Sequence, residues 1–310
     1  MTTRRAPIIA TLVVVAVAAS LLWIGLGRPR PQSAVHNAKS AASAAVSPHA
    51  TVSPNATGSP SPDATTSPPA SADSSYLAVL PQGPPTLTAT FNGSQLDSSL
   101  WATCYPWASA AVGCTNFGKS AEVEWYLSAQ DQVSGGVLRL IAQREPTAGL
   151  TRTGSPETYG CRSGMVTTYP GFDFQYGFLQ VEARIPHAAG LWPALWLAPT
   201  NLQWPPEMDL IESWGVDQES AAFFHAYPVS LGYVKGDVPV SLTSSWQTFS
   251  LYWTSSEMEF FVGTTKIMTI TQNVPQQKMY FIANVAEYLP AAPGNCSGEL
   301  DLRSLKYWKF

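Results

Sequence analysis

Three carboxylates, Glu207, Asp209 and Glu212, fall within six residues of a chain in which only 12% of residues are charged. The residues between them, Met208, Leu210 and Ile211, are apolar. On a strand successive side chains alternate faces, so Glu207 and Asp209 point the same way. Glu212 would point to the opposite face, into a core. A β-bulge between Asp209 and Glu212 adds one residue and returns Glu212 to the common face. All three acids then line one surface, where mutual repulsion makes at least one hold its proton near neutral pH. Retaining glycoside hydrolysis requires that chemistry. One carboxylate attacks the anomeric carbon and a second, with a raised pKa, protonates the leaving oxygen from about 5–5.5 Å away. The plainer readings are a solvated edge strand or a calcium site. Edge-strand charges are seldom interleaved with so many large apolar residues, and calcium wants more oxygen ligands than this segment offers.

The neighbouring residues suit a sugar. Gly190-Leu-Trp-Pro-Ala-Leu-Trp196 places Trp192 and Trp196 on one strand face, and Trp204, Trp214, His225 and Tyr227 follow. Broad aromatic rings supply large contact area with a polar handle, which fits the apolar faces of pyranose rings. The alternative is that these tryptophans are core. That reading is preferred for Trp246, Trp253 and Trp308, which sit in alternating segments near the C-terminus. His225, in Phe-Phe-His-Ala-Tyr, is either a structural hydrogen-bonder or part of the substrate site.

The elements that must hold these groups are strands. Val137–Ala142, Phe178–Ile185, Gln247–Trp253 and Glu257–Val262 each alternate with a period near two, and no long stretch has helical periodicity. Residues 86–310 therefore read as one all-β domain, a β-sandwich of the jelly-roll type. Ten of the 11 Trp lie in this part, whereas 12 of the 26 Pro lie at or before residue 85. Residues 29–85 form a Ser/Pro/Ala/Thr-rich linker: between Ser40 and Ser75, 29 of 36 residues are of these four types. Such a segment buries too little apolar surface to offset its ordering entropy. Residues 1–28 contain an uncharged apolar run, 6–27, preceded by Arg4 and Arg5. Its 22 residues span about 33 Å as a helix, enough for a bilayer core. It is expected to be a transmembrane anchor, with a cleaved signal peptide as the alternative. Either places the β domain outside the cytosol, on the extracellular face of the membrane or secreted.

Cys104, Cys114, Cys161 and Cys296 all lie in that exported part, so disulfides are the default. Cys104 and Cys114 flank a Tyr-Pro-Trp loop and could close it, leaving Cys161 to Cys296. Three pairings are possible, and spacing does not decide among them. A net charge of −4 argues against a nucleic-acid partner. No P-loop, G-x-G-x-x-G turn, C-x-x-C pair or H-E-x-x-H helix is present. The expectation is a monomer needing no cofactor and no metal.

Glu207-x-Asp209-x-x-Glu212, preceded by Trp192-Pro-Ala-x-Trp196, resembles the signature of glycoside hydrolase family 16 in its β-bulge, laminarinase- and agarase-like branch. Phe91-Asn-Gly, Glu122-Val-Glu-Trp-Tyr126, Tyr176-Gly-Phe, His225 and Phe281-Ile-Ala-Asn284 extend the resemblance over most of the domain. It implies a concave-faced sandwich whose cleft binds polysaccharide. It also implies Glu207 as nucleophile, Glu212 as general acid/base and Asp209 as hydrogen-bond partner of Glu207. Trp192, Trp196, Trp204, Trp214, His225 and Asn284 would bind substrate. Three features depart from the family pattern. Val285-Ala-Glu-Tyr288 replaces the usual Val-Gly-Gly. Thr90 and Arg303 stand where many members place acids for a structural calcium. The Cys-bearing loops are not general family features.

The expected activity is retaining endo-hydrolysis of a β-linked polysaccharide, β-1,3-glucan-like or galactan-like. A cell-surface transglycosylase would use the same carboxylates, with a sugar hydroxyl in place of water. A non-catalytic carbohydrate-binding module is the reading from another class, although degenerate members usually lose an acid and this chain has all three.

Overall fold

The computed structural model describes residues 73–108, 113–115, 122–186, 188–214, 219–238, 242, 245–288 and 296–310. The apolar run at 6–27 and the linker up to residue 72 lie outside these, as do the side chains of Trp214 and Glu219. Among the described residues no helix is long and apolar enough to cross a membrane.

The described residues are built mainly from strands. The first six are β1 (Leu87–Thr90), β2 (Glu124–Tyr126), β3 (Asp131–Ser134), β4 (Val137–Gln143), β5 (Thr147–Leu150) and β6 (Pro156–Tyr159). Next come β7 (Cys161–Ser163), β8 (Met165–Thr167), β9 (Gly177–Arg184), β10 (Leu191–Pro199), β11 (Glu207–Trp214) and β12 (Glu219–His225). The last six are β13 (Tyr233–Asp237), β14 (Gln247–Trp253), β15 (Met258–Val262), β16 (Thr265–Ile270), β17 (Met279–Glu287) and β18 (Ser297–Trp308). The four segments with period-two alternation are all strands: β4, β9, β14 and β15.

Two sheets account for most of them. One runs β16-β15-β14-β9-β18-β4-β7-β2, with β1 on β18 and β3 on β4; the other runs β13-β12-β11-β10-β17-β8. The core lies between them. It takes Leu138, Leu140, Leu179, Val181, Phe249, Leu251 and Leu305 from the first sheet, and Leu195, Leu197, Met208, Phe224, Phe281 and Val285 from the second. Each such side chain contributes roughly 1.5–3 kcal/mol on burial. Alternation then decides the rest: residues between these positions must face away from the core.

Disulfides join Cys104 to Cys114 and Cys161 to Cys296. The first closes a short loop. The second ties β7 to the residue before β18 across 135 positions of sequence, where loop-closure entropy is large.

Some residues stand elsewhere than their sequence context suggests. Residues 73–85, assigned to the linker by composition, include the helix α1 (Ser74–Val79), capped by Asp73 through the Ser75 N–H. Its Tyr76 packs edge-on against Phe178 and Phe261, so the folded part begins by Asp73. Trp253 is core, as expected, but Trp246 is not. It is partly exposed, with the Arg303 guanidinium 3.8 Å above its ring and that of Arg184 at 5.5 Å. Arginine planes cover an indole without removing either from water, an arrangement that alternation alone does not reveal. Trp308 is also only partly buried; its Nε1 donates to the Gly83 carbonyl at 3.0 Å.

Candidate active site

The outward face of the six-stranded sheet carries the acid row, and a bulge puts it there. On the β12 side, Asp209 pairs with Phe223 and Glu212 with Ala221, so Leu210 and Ile211 oppose the single residue Ala222. On the β10 side, Trp196 pairs with Asp209 and Leu195 with Ile211. Met208, Leu210 and Ile211 all enter the core. The extra residue thus keeps two consecutive apolar side chains inward and returns Glu212 to the face of Glu207 and Asp209.

Each outer acid is held by a tryptophan. Trp204 Nε1 donates to Glu207 Oε2 at 3.1 Å, and Trp192 Nε1 donates to Glu212 Oε1 at 2.9 Å. From the sequence these side chains are expected to offer ring faces to substrate. Their indole N–H groups hold the carboxylates as well, and Trp192 also packs edge-on against Tyr288. Trp196, the register neighbour of Asp209, donates to Asn284 Oδ1 at 2.8 Å. Asn284 Nδ2 donates to the Tyr126 hydroxyl at 3.0 Å, which in turn donates to Glu122 Oε2 at 3.5 Å. Both ends of the Asn284 amide are thus engaged and its side chain is buried, so it orients Trp196 and Tyr126 beneath the face where it is expected to meet substrate.

His225 is the register partner of Glu207. Its Nε2 lies 3.5 Å from Glu207 Oε1 and 3.8 Å from Asp209 Oδ2. Trp204 and Tyr233 flank its ring at 5.8 and 5.6 Å. Asp209 is 1% exposed, and its Oδ2 has no hydrogen-bond partner.

Burial and crowding set the charges. Burial first, then the charge of Glu212, pushes Glu207 up to about 8, against the opposing pull of the Trp204 N–H. Burial pushes Glu212 up to about 7, opposed by the Trp192 N–H. Asp209 is raised well above the carboxylate range by burial and then by both glutamates. Burial lowers His225 to about 4. That direction is consistent with two carboxyls nearby, because groups driven toward their neutral forms offer little charge to hold an imidazolium. The row therefore carries fewer than three negative charges at neutral pH, and its members titrate as a unit.

Glu122 is a site residue that sequence reasoning misses. Its charge raises both Glu207 and Glu212, so it belongs to the electrostatics of the row. Nothing in its spacing announces this, because it arrives from a segment far earlier in the chain.

One ligand atom each from Glu207, Asp209 and His225 lies within 4.8 Å of the others. Two carboxyls and a neutral imidazole are suitable metal donors, but they are the acid row itself, so an ion there would cover it. At the family's calcium positions, Arg303 is committed to Trp246 and Glu182.

A two-sheet sandwich carrying a bulged Glu-x-Asp-x-x-Glu strand between tryptophans defines a class, and the chain belongs to it: the glycosyl hydrolases family 16, whose model matches residues 117–292. Among curated relatives, the endo-1,3-1,4-beta-glycanase EglC of Rhizobium meliloti is 31% identical over 216 residues, covering 65% of this chain and 45% of its own length. A beta-glucanase of Rhodothermus marinus is 29% identical over 167 residues, 49% of this chain and 54% of its own. The chain thus spans about half the length of the curated relatives it matches. The fold is shared with solved structures. One is an endo-beta-1,3-glucanase from Pyrococcus furiosus, with TM-score 0.62 and 19% identity over 73% of this chain and 94% of that one. Another is the catalytic domain of a laminarinase from Thermotoga petrophila, with TM-score 0.59 and 20% identity over 73% and 97%.

Proposed function

We propose that the chain is a retaining endo-β-glucanase acting on β-1,3- or mixed β-1,3-1,4-linked glucan, on a concave sheet face that forms the substrate cleft. The observation that carries this is the bulge, which sets Glu207 and Glu212 on one face, each gripped by an indole N–H and each pushed to a pKa near neutrality. In the first step Glu207 attacks the anomeric carbon while protonated Glu212 delivers its proton to the leaving glycosidic oxygen. In the second, Glu212 takes a proton from water, which displaces Glu207 from the glycosyl-enzyme.

The roles need the negative charge on Glu207, although its pKa stands above that of Glu212. The Trp204 N–H supplies the bias, because a hydrogen bond donated to Glu207 Oε2 favours its anion. Asp209, driven toward its neutral form by burial and by both glutamates, adds little competing charge beside it. Once Glu207 carries the charge, its repulsion holds the proton on Glu212. His225, neutral, occupies the remaining side without adding a competing charge.

Glucan is favoured over galactan because the Rhizobium and Rhodothermus relatives are named for β-glycan and β-glucan cleavage and both solved neighbours for β-1,3-glucan. Membrane attachment through the apolar run at 6–27, or secretion after its removal, is proposed on the sequence alone. The test is to incubate the chain and its Glu207→Gln variant with β-1,3-glucan, mixed-linkage glucan, agarose, carrageenan and β-galactan, then size the products by mass spectrometry. Shorter oligosaccharides from the glucans, absent with the variant, are expected. Retained activity in the variant would remove Glu207 as nucleophile. Products longer than the input would point to transglycosylation.

A further inference from the structure

Beside the acid row stands an aromatic step that the proposed chemistry does not use. The loop closed by Cys104 and Cys114 carries Trp107, whose ring stacks on Tyr105 with centroids 4.5 Å apart and planes 14° from parallel. Tyr105 is 1% exposed. It packs against Tyr126 at 5.7 Å and Trp196 at 6.2 Å, and the hydrogen bond to Asn284 fixes Trp196 in turn. The far end of the loop is pinned as well. Gly113 adopts φ +82 and lies so close to Trp125 that a Cβ would fall 2.1 Å from its ring. Above Tyr105, Trp107 is 43% exposed.

Scattered exposed apolar residues are ordinary. This one differs in being an indole supported from below, held by a disulfide-closed loop, and 6.2 Å from the tryptophan in register with Asp209. A ring ordered in advance loses little freedom on binding, which is how a contact gains affinity. Trp107 is removed from β11 by one strand spacing, about 4.8 Å, and then by the ring-to-ring step from Trp196. A sugar stacked on it would lie on the flank of the acid row reached through Trp196.

We propose that Trp107 is a stacking platform for a neighbouring hexopyranose of the substrate chain, and that the Cys104–Cys114 loop pre-organises it, so that this flank favours longer oligosaccharides. The inference rests on the glycan-hydrolase reading and assigns it a specificity-determining residue. It predicts a split between KM and kcat. In the full chain, Trp107→Ala raises KM for polymeric β-1,3-glucan about tenfold, the size of a single aromatic stack. Most of the loss falls in KM, and it shrinks as the oligosaccharide shortens. Trp107→Tyr, which keeps a ring, recovers much of it. The paired Cys104→Ser and Cys114→Ser variant shifts KM in the same direction.

Binding without turnover gives an independent readout. In a Glu207→Gln background, β-1,3-gluco-oligosaccharides are expected to perturb tryptophan fluorescence, and less so once Trp107→Ala is added. Near-UV circular dichroism reports whether each variant is folded. A folded Trp107→Ala that keeps the parent KM at every chain length, or loses activity equally at all lengths, overturns the platform. An unchanged KM in the paired cysteine variant overturns the role assigned to the disulfide. A parent that neither binds nor cleaves any β-linked glucan overturns the functional reading instead, and the platform with it.

Discussion

The two faces of the six-stranded sheet are written on the same strands and obey opposite rules. Inward, Leu195 and Leu197 of β10, Met208 and Ile211 of β11, Phe224 of β12 and Phe281 of β17 are buried among apolar neighbours. Outward, alternate positions of those strands hold Trp192, Trp196, Glu207, Asp209, Glu212, His225 and Asn284. The inward face contributes stability through area removed from water. The outward face offsets part of it: it keeps three carboxyls close together, Asp209 buried and both glutamates half-buried, and one oxygen without a partner. Stability is concentrated where chemistry is absent, and groups held far from their preferred ionisation stand where chemistry is proposed. A single extra residue in β11 keeps the two programmes in phase.

That contrast can be broken from either side. On the outward face, Glu207→Gln should lower turnover by more than about 10⁴-fold, since it removes the nucleophile. The melting temperature should hold or rise, because an ionisable group is withdrawn from a crowded, buried row. Enzyme kinetics and calorimetry on the same sample check both halves. On the inward face, Phe224→Ala should do the reverse, costing about 3–5 kcal/mol of stability through the cavity it leaves. Denaturant unfolding measures this, and the fraction still folded should retain kcat. A Phe224→Ala chain that is stable but inactive would mean that the faces are not separable.

Smaller changes sharpen the comparison. Trp204→Phe keeps a ring and deletes the N–H held by Glu207 Oε2. A hydrogen bond to a charged group contributes roughly 1.5–3 kcal/mol, so kcat/KM should fall about 10- to 100-fold. The acid limb of the pH–rate profile should move upward as the Glu207 anion loses support; a lower kcat/KM with an unmoved profile would assign Trp204 to packing alone.

The smallest expected effect is on stability against pH. Glu207 and Glu212 bind more protons folded than unfolded, since their pKa values rise from 4.5 to about 8 and about 7. Their contribution therefore declines as pH rises from about 4.5 through those values. His225, lowered from 6.5 to about 4, acts oppositely and only below 6.5. Between pH 6.5 and 8 the His225 contribution is constant while other buried acids such as Asp131 act in parent and variant alike, so the melting temperature of the parent should fall more steeply than that of Glu207→Gln. The difference should be a few degrees, at roughly 2–4 °C per kcal/mol for a domain of this size. Parallel slopes would contradict the raised pKa of Glu207.

Much of this was legible in the sequence because strands write their faces with period two. The alternation of β4, β9, β14 and β15 is enough to find them, and the spacing of Glu207, Asp209 and Glu212 requires the bulge that the register displays. What alternation cannot convey is how one outward side chain uses another. Trp192 and Trp204 read as sugar platforms, and that their N–H groups also hold the two glutamates is not written in the spacing. Asn284 reads as a substrate contact, and its bonds to Trp196 and Tyr126 are not written there either. Trp246 reads as core because arginines from β9 and β18 cover it only after the sheet forms. Glu122 joins the row from a distant segment, and Tyr76 docks on Phe178 from a stretch with the composition of a linker. Each depends on partners brought together by the fold, on which local spacing carries no signal.

Double displacement by the bulged acid row is tested most directly by the anomeric configuration of the first product. Proton NMR follows it as the chain hydrolyses a β-1,3-gluco-oligosaccharide. Retention requires the β-anomer to appear first and to relax to the equilibrium mixture afterwards. The α-anomer appearing first would mean direct attack by water, and Glu207 would then be no nucleophile and Glu212 no acid to a glycosyl-enzyme.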